Sequence, residues 1–287
     1  ERAVAGITRA SGLRNGDNTL WVVNRADWKP LWFYFYNKKS GKGLYLEPDT
    51  SFYSKSGAEV ATTTASATFK ENVLVTGDLE QMLADTTVGN RTMKDLGANS
   101  GVVSITNAWA HGAPYDLMTV AMLHNHLCPG VLGGYLPIKY SEKVLPITDS
   151  SSSYTYITTS TSCKEDAYPA LWDITPGKGG AIMRTLSEAE TKDLTEKFGT
   201  SPRGIVVRWD SKKKTGTGIV FGSVSPASAT PYSGPEWGAK PLSVLKAMDT
   251  IDKPEMSVRT LMKFTIDEVS FSTLKSSENP YRVLGDP

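Results

Sequence analysis

Cysteine and histidine are the scarce residues of this 287-residue chain, which holds two of the first and three of the second. Two cysteines cannot build a disulfide framework, so the fold is expected to be held by a core instead. An excess of charge is lacking too, since 31 basic side chains face 30 acidic ones for a net charge of +1. That balance gives no electrostatic footing on nucleic acid or on an anionic membrane surface. No uninterrupted apolar run approaches the roughly 18 residues that a membrane-spanning helix needs.

What is present is concentrated. All three histidines and one cysteine fall within 111–135, HGAPYDLMTVAMLHNHLCPGVLGGY. His124, His126 and Cys128 alternate with Asn125 and Leu127, so an extended backbone over 122–128 would turn all three to one side. Imidazole and thiolate together suit zinc, copper, nickel or iron far better than magnesium or calcium. Pro129 at the first position of a helix would leave Cys128 as its N-cap, where the helix dipole favours the thiolate. A small buried thiol beside two hydrogen-bonded histidines is the plain structural alternative.

Downstream, Cys163 stands in TSTSCKEDAYPALWD, followed by ITPGKGG and then RWDSKKKTGTGIVF. With HNHLCPG, these segments resemble the formylmethanofuran dehydrogenase E-subunit family. That family shows His-Gly-His-Leu-Cys-Pro-Gly, a later Cys-x-x-Asp-Ala, a Gly-Lys-Gly turn and a basic Arg-Arg-Lys-x-Gly-x-Gly hairpin. The matching positions are His124, His126, Cys128, Pro129 and Gly130, then Cys163, Asp166 and Ala167, then Gly177, Lys178 and Gly179. Lys213, Lys214, Gly216 and Gly218 complete the set, and the match runs over roughly 118–222. Asn125 replaces the usual glycine, Pro137 is expected to interrupt the helix after the Cys-Pro-Gly turn, and no four-cysteine zinc finger follows. The family takes its name from formylmethanofuran oxidation in methanogenic archaea, which brings no established reaction for its own members.

Along the chain, LWVVN (20–24), WFYFYN (32–37), GLYLE (43–47) and FKENVLVTG (69–77) read as strands between turns. Residues 78–101 read as one or two short helices capped by Asp78 and closed by Gly97. VVSIT (102–106) reads as a buried strand and 115–122 as a helix buried on most sides. A short helix to about Tyr135, a strand at 154–159 and a surface helix at 187–198 with Ser187 and Glu190 as capping box should follow. Strands are expected at 204–210 and 216–222, a Pro/Gly/Ser-rich linker at 223–241, a helix at 242–249 and strands within 258–271. KKSGKGLYL (38–46) echoes KKTGTGIVF (213–221), which points to a repeated hairpin and two related half-domains. The expected class is α+β, helices on a mostly antiparallel sheet, as the resemblance also implies. The expected organisation is a strand-rich half at 1–100, a motif-bearing core at 101–222 and a linker with a packed extension at 223–287.

Three functions remain open on these residues. The first is a metal or metal-cofactor site at His124, His126, Cys128 and Cys163, with Asp166 orienting a ligating histidine. His111 is a weaker fifth candidate, because a histidine before Gly-Ala-Pro reads as a loop residue. Zinc, copper or nickel is expected there; haem is chemically allowed, although no CxxCH motif is present. The second is an enzyme with Cys128 as nucleophile, activated by His124 or His126, or with an open metal position. The third is a secreted, self-assembling filament or sheath protein that donates AVAGIT near its N-terminus as a strand. A start at Glu1 without methionine, Ser/Thr-rich loops and the sequon Asn90-Arg91-Thr92 favour an extracellular or cell-envelope location. A disulfide between Cys128 and Cys163 would compete with a metal.

Overall fold

The computed structural model describes residues 2–224 and 232–285. In chain order the elements begin with α1 (Arg2–Ser11), β1 (Phe33–Asn37), β2 (Lys42–Pro48), α2 (Gly57–Thr62), α3 (Ala65–Thr68) and β3 (Phe69–Thr76). Then come α4 (Leu79–Ala84), α5 (Thr86–Leu96), α6 (Val102–Ala110), α7 (Tyr115–His124), α8 (Pro129–Val144), β4 (Ser152–Thr158) and α9 (Ala167–Trp172). The chain continues through β5 (Ala181–Met183), α10 (Glu188–Phe198), β6 (Pro202–Asp210), β7 (Thr215–Ser223), α11 (Glu236–Ala247), β8 (Val258–Asp267) and α12 (Glu268–Ser276). The class is the α+β one expected. Two compact units form, Glu1–Cys128 with Tyr232–Met248, and Pro129–Pro231 with Asp249–Pro287. Among the described residues, no helix is long and apolar enough to cross a membrane.

The first unit holds an antiparallel sheet ordered β1-β2-β3. Its core gathers Tyr45, Val75, Leu79, Met82, Leu96, Val103 and Leu245, with Trp32 and Trp237 packed against them. VVSIT, expected as a strand, opens helix α6 instead. Its β-branched residues favour strand locally, but burial of 102–105, 107 and 108 covers nearly every side of a helix, and tertiary packing overrides propensity. Asn107 fixes the choice: from inside α6 its Oδ1 accepts from Leu79 N at 2.9 Å and its Nδ2 donates to Gly77 O at 2.7 Å. Both partners would be orphaned polar groups without it.

Two other expectations fail in this unit. AVAGIT lies in helix α1, where the half-buried residues 3, 4, 7 and 8 recur at helical spacing, so the basis for a donated strand is gone. LWVVN forms no strand either. Trp21 packs on Tyr115 at 5.2 Å between ring centroids, and Asn24 N donates to Met122 O at 2.8 Å, which satisfies one of the last carbonyls of α7. Of the expected 223–241 linker, 225–231 lie outside the described residues, and 236–241 already belong to α11, which runs through Pro241. Asn90 of the sequon sits inside α5 and accepts from Trp237 Nε1 at 2.8 Å.

The second unit holds a sheet ordered β5-β4-β6-β7-β8, antiparallel except for the β4–β5 pair. The central stretches of β6 (204–207) and β7 (218–222) are apolar and buried, as suits strands covered on both faces. Ile157, Leu194, Ile205, Val207, Val220, Phe271 and Leu274 form the core. The second part of 258–271, expected as strand, is helix α12, which starts where the Asp267 carboxylate accepts from Ser270 N.

The two lysine hairpins share one turn chemistry. Each loop has four residues between its last paired positions, Asn37↔Lys42 and Asp210↔Thr215. In each, the residue before the loop accepts two loop N–H groups: Asn37 Oδ1 from Lys39 and Ser40, Asp210 Oδ1 from Lys212 and Lys213. Their sheets differ, with β1 at an edge and β6 between β4 and β7. Lys213 Nζ lies 2.9 Å from Asp210 and Lys214 Nζ 2.8 Å from Glu268, so ion pairs account for two of the three lysines at 212–214.

Lys213 and the turn N–H groups hold the Asp210 carboxyl well below the usual carboxylate range. A depressed folded-state pKa means stability that is present above the ordinary aspartate value and lost as pH falls through the folded one. Asp210→Asn keeps the acceptor, as Asn37 does in the first hairpin, and removes the charge. The variant is therefore expected to be less stable than the parent at neutral pH, with the difference closing as the pH falls below about 4. Urea titrations of both proteins across that range check it, and a difference that does not vary with pH would contradict it.

Candidate metal centre

Helix α7 ends at His124, and Asn125 adopts a left-handed conformation with φ of 62°. This explains the departure from glycine, because asparagine is among the few residues with a side chain that tolerate this region at a helix end. It also corrects the extended reading of 122–128, since the chain turns through Asn125 to bring His126 beside His124. The two rings lie 4.3 Å apart between centroids. Leu127 N donates to Ser104 Oγ of α6 at 3.3 Å, and a Cβ on Gly101 would stand 2.8 Å from His126 Cβ. Gly101 thus lets the start of α6 approach His126 closely.

Cys128 is buried and directly precedes Pro129, the first residue of α8. That helix runs through Pro137 to Val144, not stopping near Tyr135 as expected. Pro137 removes one N–H, whose acceptor would be Gly133 O four residues back, and burial of residues 134–138 holds the helix together across it. The half-turn at Cys163–Asp166 packs against α8. Gly134 permits this contact: a Cβ there would lie 2.0 Å from Lys164 O and 2.9 Å from Ala167 Cβ.

The donor atoms of His124, His126, Cys128 and Cys163 lie within 4.8 Å of one another. A closed tetrahedral zinc site with bonds of about 2.0–2.3 Å has donor separations of about 3.3–3.8 Å. Cys128 and Cys163 are not joined in a disulfide. Hydrogen bonding to Cys128 raises the His126 pKa, while burial and the Lys240 charge oppose the shift.

The remaining residues are placed as follows. Asp166 ends the half-turn that begins at Cys163 and immediately precedes α9. His111 caps α6, with Nδ1 2.8 Å from Asn107 O, and stands outside the four-residue cluster. Lys178 of the Gly-Lys-Gly turn pairs with Asp173.

Sequence reasoning missed the support behind Cys163. Lys164 and Glu165 are paired at 2.5 Å with side chains only 2% and 6% exposed. Glu165 also accepts from Ser162 N and, at 3.2 Å, from Tyr156 OH, and Lys164 Nζ also donates to Thr158 Oγ1 and Ser160 O. Burial pulls the Lys164 pKa below its usual value, with Glu165 opposing the shift. Tyr156 and Tyr168 stack at 3.5 Å beside the pair, and burial raises both phenols well above their usual range. The Ser-x-x-Glu spacing of Ser162 and Glu165 was the available signal.

A family model described as FmdE, Molybdenum formylmethanofuran dehydrogenase operon, matches residues 123–222. The resemblance read from the motifs holds over that stretch, which carries all four clustered ligand-type residues. No curated protein matches the chain. Together the family match and the His/Cys cluster support a metal-binding role.

Proposed function

We propose that the protein binds one transition-metal ion through His124, His126, Cys128 and Cys163. The observation that carries this reading is the convergence of all four donors within 4.8 Å, drawn from two separate sequence motifs. Two imidazoles and two thiolates form a charge-neutral tetrahedral set for a divalent ion, with zinc as the first expectation and copper favoured where it is available. Asp166, three residues beyond Cys163, is proposed to act from behind the ligands. The chemistry such an ion would supply is either structural closure of this motif or, with one ligand displaced, a Lewis-acidic position.

Metal analysis of protein purified from its native source tests the reading. Cys128→Ser with Cys163→Ser is expected to weaken binding by at least about 100-fold, since both thiolates go. Affinity should also fall on acidification, because the ligands must be deprotonated. A double variant that keeps its full metal content would overturn the assignment.

A further inference from the structure

The first unit contains a cleft of about 410 Å³ whose wall includes Arg25, Lys29, Trp32, Asn99, Val102 and His126. That volume is in the range of small-molecule sites, roughly 300–1,000 Å³. Among the described residues lining it there is no aspartate or glutamate, so Arg25 and Lys29 leave the cleft cationic. Glu47 feels the Arg25 charge, but its carboxylate is already engaged by Lys70 Nζ at 2.8 Å and Tyr45 OH at 2.7 Å.

The donors in the wall are only partly used. Arg25 Nη1 donates to Asn99 Oδ1 at 2.9 Å, which fixes the guanidinium, and Asn99 is fixed in turn by donating to Tyr45 OH at 2.8 Å. Arg25 Nε and Trp32 Nε1 are buried with no hydrogen-bond partner. With Nη1 held by Asn99, the Arg25 side chain lines the cleft in a fixed orientation, a charged donor group suited to a carboxylate. The apolar surface of Trp32 and Val102 suits an organic body rather than an inorganic ion.

We propose that this cleft binds a small organic carboxylate, its carboxylate on Arg25 and Lys29 and its body along Trp32 and Val102 toward His126. The proposal rests on the first unit alone and holds whether or not a metal binds the His/Cys cluster.

The test is an amide and indole NMR titration of the full chain, run on metal-free and zinc-treated samples. The probes are benzoate, its uncharged counterpart benzamide, and inorganic phosphate. Benzoate is expected to shift the Trp32 indole and the amides of 23–32 and 98–102 saturably, with benzamide at least about 10-fold weaker and the affinity falling with added salt. Arg25→Gln should weaken benzoate about 10-fold or more, and Lys29→Gln, an exposed change that spares the fold, several-fold. The proposal is overturned if benzoate gives no saturable shift at about 10 mM, if benzamide matches it, or if phosphate binds more tightly at the same signals. It is equally overturned if both variants titrate like the parent. Failure of the metal reading would appear in metal content and leave these titrations unchanged.

Discussion

Gly134→Ala is expected to separate the half-turn that carries Cys163 from helix α8 and to cost the protein at least about 100-fold in metal affinity. The added Cβ would lie 2.0 Å from Lys164 O and 2.9 Å from Lys164 C. These are backbone atoms, so no rotamer change relieves the clash, and the half-turn must retreat by about an ångström, well beyond the roughly 0.2 Å tolerance of a ligand set. Overpacking of this kind costs about 1–3 kcal/mol, and more where the neighbour cannot yield. Gly133→Ala is the matched control, because its nearest neighbour would be Lys164 Cβ at 4.0 Å. At that site alanine should be neutral or stabilising by up to about 1 kcal/mol through helix propensity. Metal competition titrations and thermal melts of the two variants check the contrast, and equal behaviour would show that Gly134 is not what seats the half-turn.

The same contrast shows where sequence reading works and where it stops. His124, His126, Cys128 and Cys163 were legible because residue type alone restricts their chemistry, and two motifs in the right order supplied the pairing. Their geometry was not legible. A His-x-His-x-Cys alternation suggests a strand, yet the donors meet because α7 stops at a left-handed Asn125, a backbone state that side-chain alternation does not encode. Capped elements, such as α10 behind Ser187 and α12 behind Asp267, announce their starts through local hydrogen bonds. Among these, only the start of α10 was read. α6 was misread because its helical state depends on burial all round and on Asn107 reaching Leu79 and Gly77, partners about 30 residues away. Gly134 reads as a helix weakness in sequence, and only the approach of Lys164 shows it to be a contact surface. Pro137 was over-weighted, since the buried residues around it, 134–138, keep α8 continuous despite the lost hydrogen bond.

Glu165→Gln is expected to destabilise the second unit by about 3–5 kcal/mol, the usual cost of breaking a buried ion pair from one side. Glu165 serves three donors at once, Ser162 N, Lys164 Nζ and Tyr156 OH. A glutamine offers one oxygen and turns an amide N–H₂ toward a donor, while the Lys164 ammonium keeps its charge in a site where its side chain is 2% exposed. Lys164→Met combined with Glu165→Gln should recover much of the loss, because replacing both members of a buried pair with uncharged groups is often nearly neutral. The pH dependence gives a second signature. Burial already lowers the Lys164 pKa, and removing Glu165, which raises it, lowers it further. With a folded-state pKa below the unfolded one, the unfolded chain binds more protons, so the stability of Glu165→Gln should rise with pH as Lys164 sheds its proton. The deficit relative to the parent is therefore largest at neutral pH and smaller in the alkaline range, and the double variant should show no such trend. Chemical denaturation of the three proteins from pH 7 to 10 decides the matter: a Glu165→Gln deficit below about 1 kcal/mol, or one that does not change with pH, would mean that the pair does not support the segment carrying Cys163.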